Sequence, residues 1–398
     1  MSDQHSVYDA VVVGGGPAGA TAANDLAKTG VKVALLDRAG RIKPCGGAVP
    51  PCLLREFDIP QTLIVAHALS ARIIAPSNRA VDMPIDGGFV GMVDREVFDE
   101  WLRQRAYTAG ADRVTGTFLG IRRDDPGIAT VLYRAPGQAD EVAELRTRAV
   151  IGADGANSAV ARQEVPDAGK QKNVFAYHEV IRSPAAGSGS FDPTRCDIYY
   201  QNHVSPDFYG WIFPHGETAS IGVGSARKGF SLRSAVRDLR AAAGLSDCET
   251  IRGEGAPIPI RPLKKWDNGR DVVLAGDAAG VVAPASGEGI YYAMTGGRLA
   301  ASAVGEFLVT GNAKALAKAR AEFLRSHRMV FWVLGALQYF WYSTDNRRER
   351  FVKMCADPDV QKLTWEAYMN KKLVRARPGA HLRIFFQDLA HLLGLARP

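Results

Sequence analysis

Cysteine is scarce in this chain of 398 residues, with five in all at positions 45, 52, 196, 248 and 355. The number is odd and no C-x-x-C spacing occurs, so neither a disulfide framework nor a zinc site is indicated, and no metal ligand set is expected. A reducing compartment fits. The amino terminus lacks a basic segment and a small-residue cleavage site before its first apolar strand, so no secretory signal is read and the chain is expected in the cytoplasm. No apolar run reaches the roughly 20 residues that a spanning helix needs. The longest, residues 329–342, contains Gln338 and leaves only peripheral membrane contact open.

Charge of one sign is not in large excess either. The sum of 49 Lys and Arg against 42 Asp and Glu is +7, a modest bias toward anionic partners. Residues 311–398 hold 16 of the basic and 7 of the acidic side chains, so the basicity belongs to the carboxyl-terminal fifth. No nucleic-acid motif accompanies it, and nucleic acid is not expected as a partner. Hydrophobic residues at 46% and charged residues at 23% exclude disordered and polytopic membrane classes. The length allows two or three domains.

What is present begins at once. Residues 8–13 read as a buried strand, 17–29 as an alanine-rich helix and 32–37 as a second strand, a beta-alpha-beta unit. Gly14, Gly16 and Gly19 form G-x-G-x-x-G at the strand-to-helix turn, with Ala18 inside it. Such a turn lets the backbone approach a pyrophosphate at the positive end of the helix. Asp37, followed by Arg38, ends the second strand, where a carboxylate binds the ribose hydroxyls of an ADP group. The alternative is a glycine turn in a nucleotide-free fold.

Two later motifs each follow a short strand, Gly152-Ala153-Asp154-Gly155 and Gly276-Asp277-Ala278-Ala279-Gly280. They resemble the DG and GD motifs of FAD-dependent enzymes related to p-hydroxybenzoate hydroxylase. Asp94-Arg95-Glu96-Val97-Phe98-Asp99 resembles that family's D-R-x-x-F-D helix start. The resemblance implies FAD as cofactor, with Arg95, Asp154 and Asp277 among its contacts. Gly287-Glu288-Gly289-Ile290 would set a helix start, at Gly289 and Ile290, near the flavin pyrimidine edge, where the helix dipole favours the anion formed on reduction. A helix entry that merely needs small residues is the other reading. The implied fold class is α/β: a Rossmann-type FAD-binding domain of the p-hydroxybenzoate hydroxylase-like class, an interleaved antiparallel β-sheet substrate domain and a carboxyl-terminal helical region.

In the β-rich stretch, Tyr209-Gly210-Trp211-Ile212-Phe213-Pro214 is followed by Gly222-Val223-Gly224. Tyr209, Trp211 and Phe213 share one face of a strand; they line an apolar tunnel or pack the sheet's own core. The pattern resembles the Y-x-W-x-F-P-x7-G-x-G signature of geranylgeranyl reductases, and Cys45-Gly46-Gly47 resembles their Cys-Gly-Gly loop beside the flavin. Residues 357–361 and 363–368 are similar to the branch acting in chlorophyll and bacteriochlorophyll synthesis. The resemblance spans nearly the whole chain. It implies saturation of three double bonds of a geranylgeranyl group, carried on bacteriochlorophyll or chlorophyll or as the diphosphate, to give phytyl. Tyr209, Trp211, Phe213, Pro214, Gly222 and Gly224 are then substrate-binding, and NADPH is the donor, although no second Rossmann fingerprint occurs.

An isolated alkene needs a proton as well as a hydride. Cys45 is the candidate acid, since a thiol is mostly protonated at neutral pH; a structural or flavin-contacting role is the alternative. His178, His203 and His215 are given no role. Two other classes compete. One is an FAD-dependent monooxygenase or halogenase, near whose G-W-x-W-x-I-P this sequence departs at two positions. The other is a prenyl-binding escort protein without redox chemistry.

The expected organisation assigns residues 1–75, 94–165 and 269–312 to the FAD domain. Residues 76–93 and 166–268 fall to the substrate domain, and 313–398 form the basic helical region. That region, with Trp332, Phe340 and Trp341 and an apolar face at Leu382, Phe385, Phe386, Leu389, Leu392 and Leu393, either lies on anionic lipid or caps the substrate site.

Overall fold

The computed structural model describes residues 7–38, 40, 42–125, 127–138, 141–184 and 190–371. Two compact units alternate along the chain: 7–43, 95–173 and 257–328 build the first, and 44–94, 174–256 and 329–371 the second.

The first unit is centred on a seven-stranded sheet. Its order is Asp112–Thr115, Val33–Asp37, Tyr8–Val13, Ala143–Gly152, Ile128–Arg134, Thr117–Asp125, with Val272–Leu274 also beside Ala143–Gly152. The Tyr8–Val13 strand pairs in parallel with both neighbours, and its uninterrupted apolar end, Ala10 to Val13, is buried on both faces as a central parallel strand requires. The helix Pro17–Lys28 follows, with proline at its start and lysine in its last turn, both matched to the orphan groups and dipole of helix ends. Its small residues allow the helix Ile290–Thr310 to approach closely: a Cβ on Gly297 would lie 2.1 Å from the Ala18 carbonyl oxygen.

The second unit holds a seven-stranded sheet in the order Thr250–Pro259, Asn173–Arg182, Thr218–Ser225, Gly210–His215, Arg195–Tyr199, Ser70–Ile74, Ala80–Pro84. A three-stranded sheet, Ala48–Val49, Val90–Val93 and Ile64–Ala68, accompanies it. Alternation along the strands divides the large sheet's faces. Ile212, Ile221 and Val223 point to one face, where Ala235, Val236 and Leu239 of the helix Leu232–Ala242 complete a hydrophobic core. Trp211 and Phe213 belong to the opposite face, directly paired with Gly222 and Ser220. The aromatic stripe is therefore not part of the core under that helix.

The unit borders differ from the expected ones for reasons of pairing. Residues 44–75 fall in the second unit, because Ala48–Val49 and Ile64–Ala68 both pair with Val90–Val93 and Ser70–Ile74 joins the large sheet. Residues 257–268 and 313–328 fall in the first. There the Leu274 amide donates to the Trp266 carbonyl at 2.6 Å, Trp266 packs on Phe323, and Arg320 Nε donates to the Leu263 carbonyl at 2.9 Å.

Helices Lys318–Trp341, Asp345–Met354 and Pro358–Asn370 end the described chain. Arg348, fully buried, donates to the Pro206 and Tyr342 carbonyls at 2.6 Å each and to Asp345, and the Tyr342 and Tyr200 hydroxyls are 3.0 Å apart. These bonds fasten the helix Asp345–Met354 and the turn before it within the second unit. Of the aromatics expected to face lipid, only Trp332 is well exposed, at 69%. Trp341 is buried at 3% beside Phe351, and Phe340 stacks under the Arg347 guanidinium. Leu382, Phe385, Phe386, Leu389, Leu392 and Leu393 lie outside the described residues. Among the described residues no helix is long and apolar enough to cross a membrane.

Candidate active site

The glycine motif of the first unit is shaped by backbone approach. Gly14 has φ +106° and a Cβ there would meet the Ala153 carbonyl at 2.3 Å; one on Gly19 would lie 1.8 Å from the Gly14 oxygen. Gly16, the residue before the helix, differs: a Cβ there meets nothing within 4 Å. Open space thus lies before a helix amino terminus whose first amide groups have no intrahelical acceptor. Asp37 closes the cradle on one side, its carboxylate lying against Gly15. Backbone, helix end and strand-end acid together fit the pyrophosphate and ribose of a dinucleotide. Arg38 is exposed beside them.

Other expected residues take more specific places. Ala18 packs between Gly276 and Gly297 and keeps the two helices close. Arg95 is buried and makes a bidentate pair with Asp99 at 2.9 and 2.7 Å. The Asp154 carboxylate accepts from Ser158 Oγ and from the Ala159 and Val160 amides, which makes it a cap on the helix Ala159–Glu164. Asp277, at a turn where Gly276 has φ +63°, pairs with Lys43. Gly289 precedes the helix that Ile290 begins.

Lys43 and Arg103 escaped the sequence reading. Arg103 Nη1 lies 3.5 Å from Asp37 Oδ2 and donates to the Gly15 carbonyl at 3.3 Å. Its signal was helical spacing, one turn beyond Asp99 of the D-R-x-x-F-D start; Lys43 gave none.

In the second unit the Cys-Gly-Gly loop and the aromatic stripe, more than 160 residues apart in sequence, come together. A Cβ on Gly46 would meet the Phe213 ring at 3.2 Å and Trp211 Nε1 at 3.7 Å; one on Gly47, where φ is +72°, would meet His215 Nε2 at 2.5 Å. The glycines let this loop lie flat on the ring edges. Gly222 has the same use, since a Cβ there would fall 2.1 Å from the Trp211 ring. A Cβ on Gly224 would likewise meet Phe208 at 2.6 Å. Cys45 Sγ accepts from the Gly47 amide at 3.3 Å. Tyr209, at the other end of the stripe, packs with Phe208 and Tyr200, and burial pushes its hydroxyl pKa up. Pro214 is buried in the strand.

His215, given no role from the sequence, continues the alternation of 209, 211 and 213 at the end of the strand Gly210–His215. Burial lowers its pKa to about 4, although the Phe213 carbonyl that accepts from Nδ1 at 3.2 Å works the other way. It is neutral at physiological pH, with its Nε2 lone pair toward Gly47.

Residues 8–184 match the family described as pyridine nucleotide-disulphide oxidoreductase. Over 391 residues the chain is 59% identical to the geranylgeranyl diphosphate reductase of Rhodobacter capsulatus, covering 98% of this chain and 99% of that one. The geranylgeranyl diphosphate reductase of Synechocystis sp. is 37% identical over 97% of this chain and 98% of its own. Among solved structures, a geranylgeranyl bacteriochlorophyll reductase-like protein of Thermoplasma acidophilum superposes with a TM-score of 0.80 at 23% identity, covering 94% of this chain and 99% of that one. That likeness carries the fold, which is of the p-hydroxybenzoate hydroxylase-like α/β class. With near-complete coverage on both sides, the sequence relatives carry more: the chain belongs to the geranylgeranyl reductase family of oxidoreductases.

Proposed function

We propose that the chain is an FAD-dependent reductase that draws on NADPH and saturates three isolated C=C bonds of a geranylgeranyl group to give phytyl, on bacteriochlorophyll or chlorophyll or as the diphosphate. The observation that carries this reading is the packing of the Cys45-Gly46-Gly47 loop on the Trp211, Phe213 and His215 face. It joins an apolar aromatic surface to a thiol. The first unit supplies the dinucleotide cradle, with Gly14, Gly16 and Gly19 at the phosphates, Asp37 at the ribose, and Arg95, Asp154, Asp277, Gly289 and Ile290 forming or bracing the rest of the site.

FAD, when bound, supplies the hydride. The residues of this chain must do what remains: hold an unactivated alkene, keep water from it and provide the proton. Tyr209, Trp211 and Phe213 offer ring faces to an isoprenoid chain, and the Gly222 floor keeps the central ring flat. The Cys45 thiol is the proton source: its sulfur accepts from the Gly47 amide, which leaves the S–H free to donate. Cys196 and Cys355 are deeply buried, and desolvation pushes the Cys355 thiol up to about 12. The enzyme meets the lipid surface through Met329, Trp332 and Tyr339, which are exposed at helical spacings of three and seven, Tyr339 at 85%.

The test is anaerobic incubation of the flavin-loaded protein with NADPH and, separately, geranylgeranyl-bacteriochlorophyll, geranylgeranyl diphosphate and simple aromatic compounds, followed by mass analysis. Increments of two hydrogens, up to three per prenyl chain, are expected. Oxygen insertion in air without any such increment would establish a monooxygenase, and a protein that binds prenyl chains but never flavin would establish an escort.

A further inference from the structure

The sheet face that carries Trp211 also carries polar groups that prenyl reduction leaves unused. Ser220 and Gly222 alternate on the strand beside Trp211, and His178 pairs with Gly222 from the next strand. Trp211 Nε1 donates to Ser220 Oγ at 3.1 Å, and Ser220 Oγ lies 3.0 Å from His178 Nδ1. On its far side His178 Nε2 stands 3.2 Å from Glu254 Oε1, off the axis of a hydrogen bond. We propose that Ser220 is a positioning residue for the Trp211 ring and that His178, braced by Glu254, holds the Ser220 hydroxyl in place. The inference rests on the reading of Trp211 as part of the prenyl-binding wall.

Three things argue for it. First, Ser220, His178 and Trp211 are all buried, and burying a hydroxyl and an imidazole in an apolar face is costly unless both are paired. Alanine and valine would suffice if the face had only to pack. Second, the neighbours of the neutral ring favour one order of protons. An indole N–H can only donate, so Ser220 Oγ accepts from it; the Glu254 carboxylate beside Nε2 draws the imidazole proton to that nitrogen, which leaves Nδ1 to accept the Ser220 hydroxyl proton. Third, the Gly222 floor fixes the plane of the indole without fixing which edge faces which way. The bond to Ser220 selects one of the two flips, the one in which the Nε1 edge lies toward Gly46 and the Cys45 loop.

A reductase that must present three alkenes of one chain in turn needs a wall of constant shape. With the flip unselected, the ring would offer two walls and the chain two registers. Binding, which depends on apolar area, would change little, whereas alignment of the reacting bond would suffer.

The test uses the full-length holoenzyme labelled with indole-15N tryptophan, with Trp211→Phe identifying the Trp211 signal. Ser220→Ala is expected to shift the Trp211 N–H resonance upfield or split it, and His178→Phe to do the same. His178→Asn, whose amide can stand where Nδ1 does, should restore it; Ser220→Cys, close in volume, guards against a folding failure in the alanine variant. In turnover, Ser220→Ala should lower kcat roughly tenfold or more, leave KM within about twofold of its starting value, and release partly reduced dihydro and tetrahydro chains. An unchanged Trp211 resonance in both Ser220 variants would overturn the positioning role whatever the substrate. A moved resonance with wild-type kcat and products would overturn its consequence for the reaction. If the wild-type enzyme reduces no prenyl compound, the functional reading fails instead, and the resonance still decides the clamp.

Discussion

The cradle of the first unit is made of backbone, with Gly14 and Gly19 forced by contacts of main chain on main chain, Gly14 O and Ala153 O among them. In the second unit Gly222 is forced by a side chain, the Trp211 ring, and Gly46 lies tight against Phe213. Backbone at a strand-helix turn cannot retreat without breaking sheet or helix bonds, whereas an aromatic ring can rotate. The two units should therefore fail differently when their glycines gain a methyl group: the first by losing its fold and cofactor together, the second by losing activity while keeping its fold and the cofactor.

The largest expected effect is that of Gly19→Ala. Its Cβ would sit 1.8 Å from the Gly14 oxygen, and relief requires the helix to leave the sheet. A loss of more than ~4 kcal/mol is expected, read as colourless or insoluble protein and a collapsed melting temperature. A yellow Gly19→Ala protein with normal melting would break the contrast between the units.

The next effect belongs to the second unit and is read by pH. The His215 pKa falls from 6.5 to about 4 on folding, so between those values the unfolded chain binds more protons than the folded one. The contribution is complete above about pH 6.5 and is lost as pH falls toward 4, about 3 kcal/mol in all. The groups acting on it are the Phe213 carbonyl, His178, Asp94 and Arg252. Denaturant melts from pH 7.5 to 4 should show this slope in the wild type and a flatter one in His215→Phe. Equal slopes would mean that His215 is not held neutral.

The same contrast explains what the sequence made legible. The Rossmann turn, Asp37 and both later glycine-aspartate motifs are local: each is a few consecutive residues whose backbone path is set by neighbours in the chain. The stripe of 209, 211 and 213 was legible as a stripe, by its period of two. Which side it faced was not, because Ile212 on the other face is apolar too, and only the helix Leu232–Ala242 decides between them. Arg103, Lys43 and His178 were illegible because their partners, Asp37, Asp277 and Ser220, come from distant strands and turns. The domain borders moved for a similar reason: residues 44–75 looked continuous with the first unit, yet their strand partners belong to the second. Asp154 was legible as a motif, but its cap on the helix Ala159–Glu164 depends on the turn geometry.

Gly222→Ala sharpens the comparison at an intermediate size. Its Cβ would meet the Trp211 ring at 2.1 Å, and the ring can tilt away, so overpacking of ~1–3 kcal/mol is expected. Flavin content should be unchanged while prenyl reduction is lost. A variant that sheds flavin would show that the two units do not fail independently.

The smallest structural effect is that of Cys45→Ser, and for that reason it bears most directly on the chemistry. Serine is close to cysteine in size, and its oxygen can accept the Gly47 amide that Sγ now accepts. The loop and the Gly46 contact with Phe213 should persist, with stability within about 0.5 kcal/mol of the starting protein and flavin content unaltered. A hydroxyl is a far weaker acid than a thiol, so if Cys45 supplies the proton, turnover should fall by about 100-fold or more with KM little changed. Wild-type turnover in Cys45→Ser would remove the thiol from the chemistry, leave it as a brace for the glycine loop, and move the search for the acid to a water molecule or another group on the aromatic face.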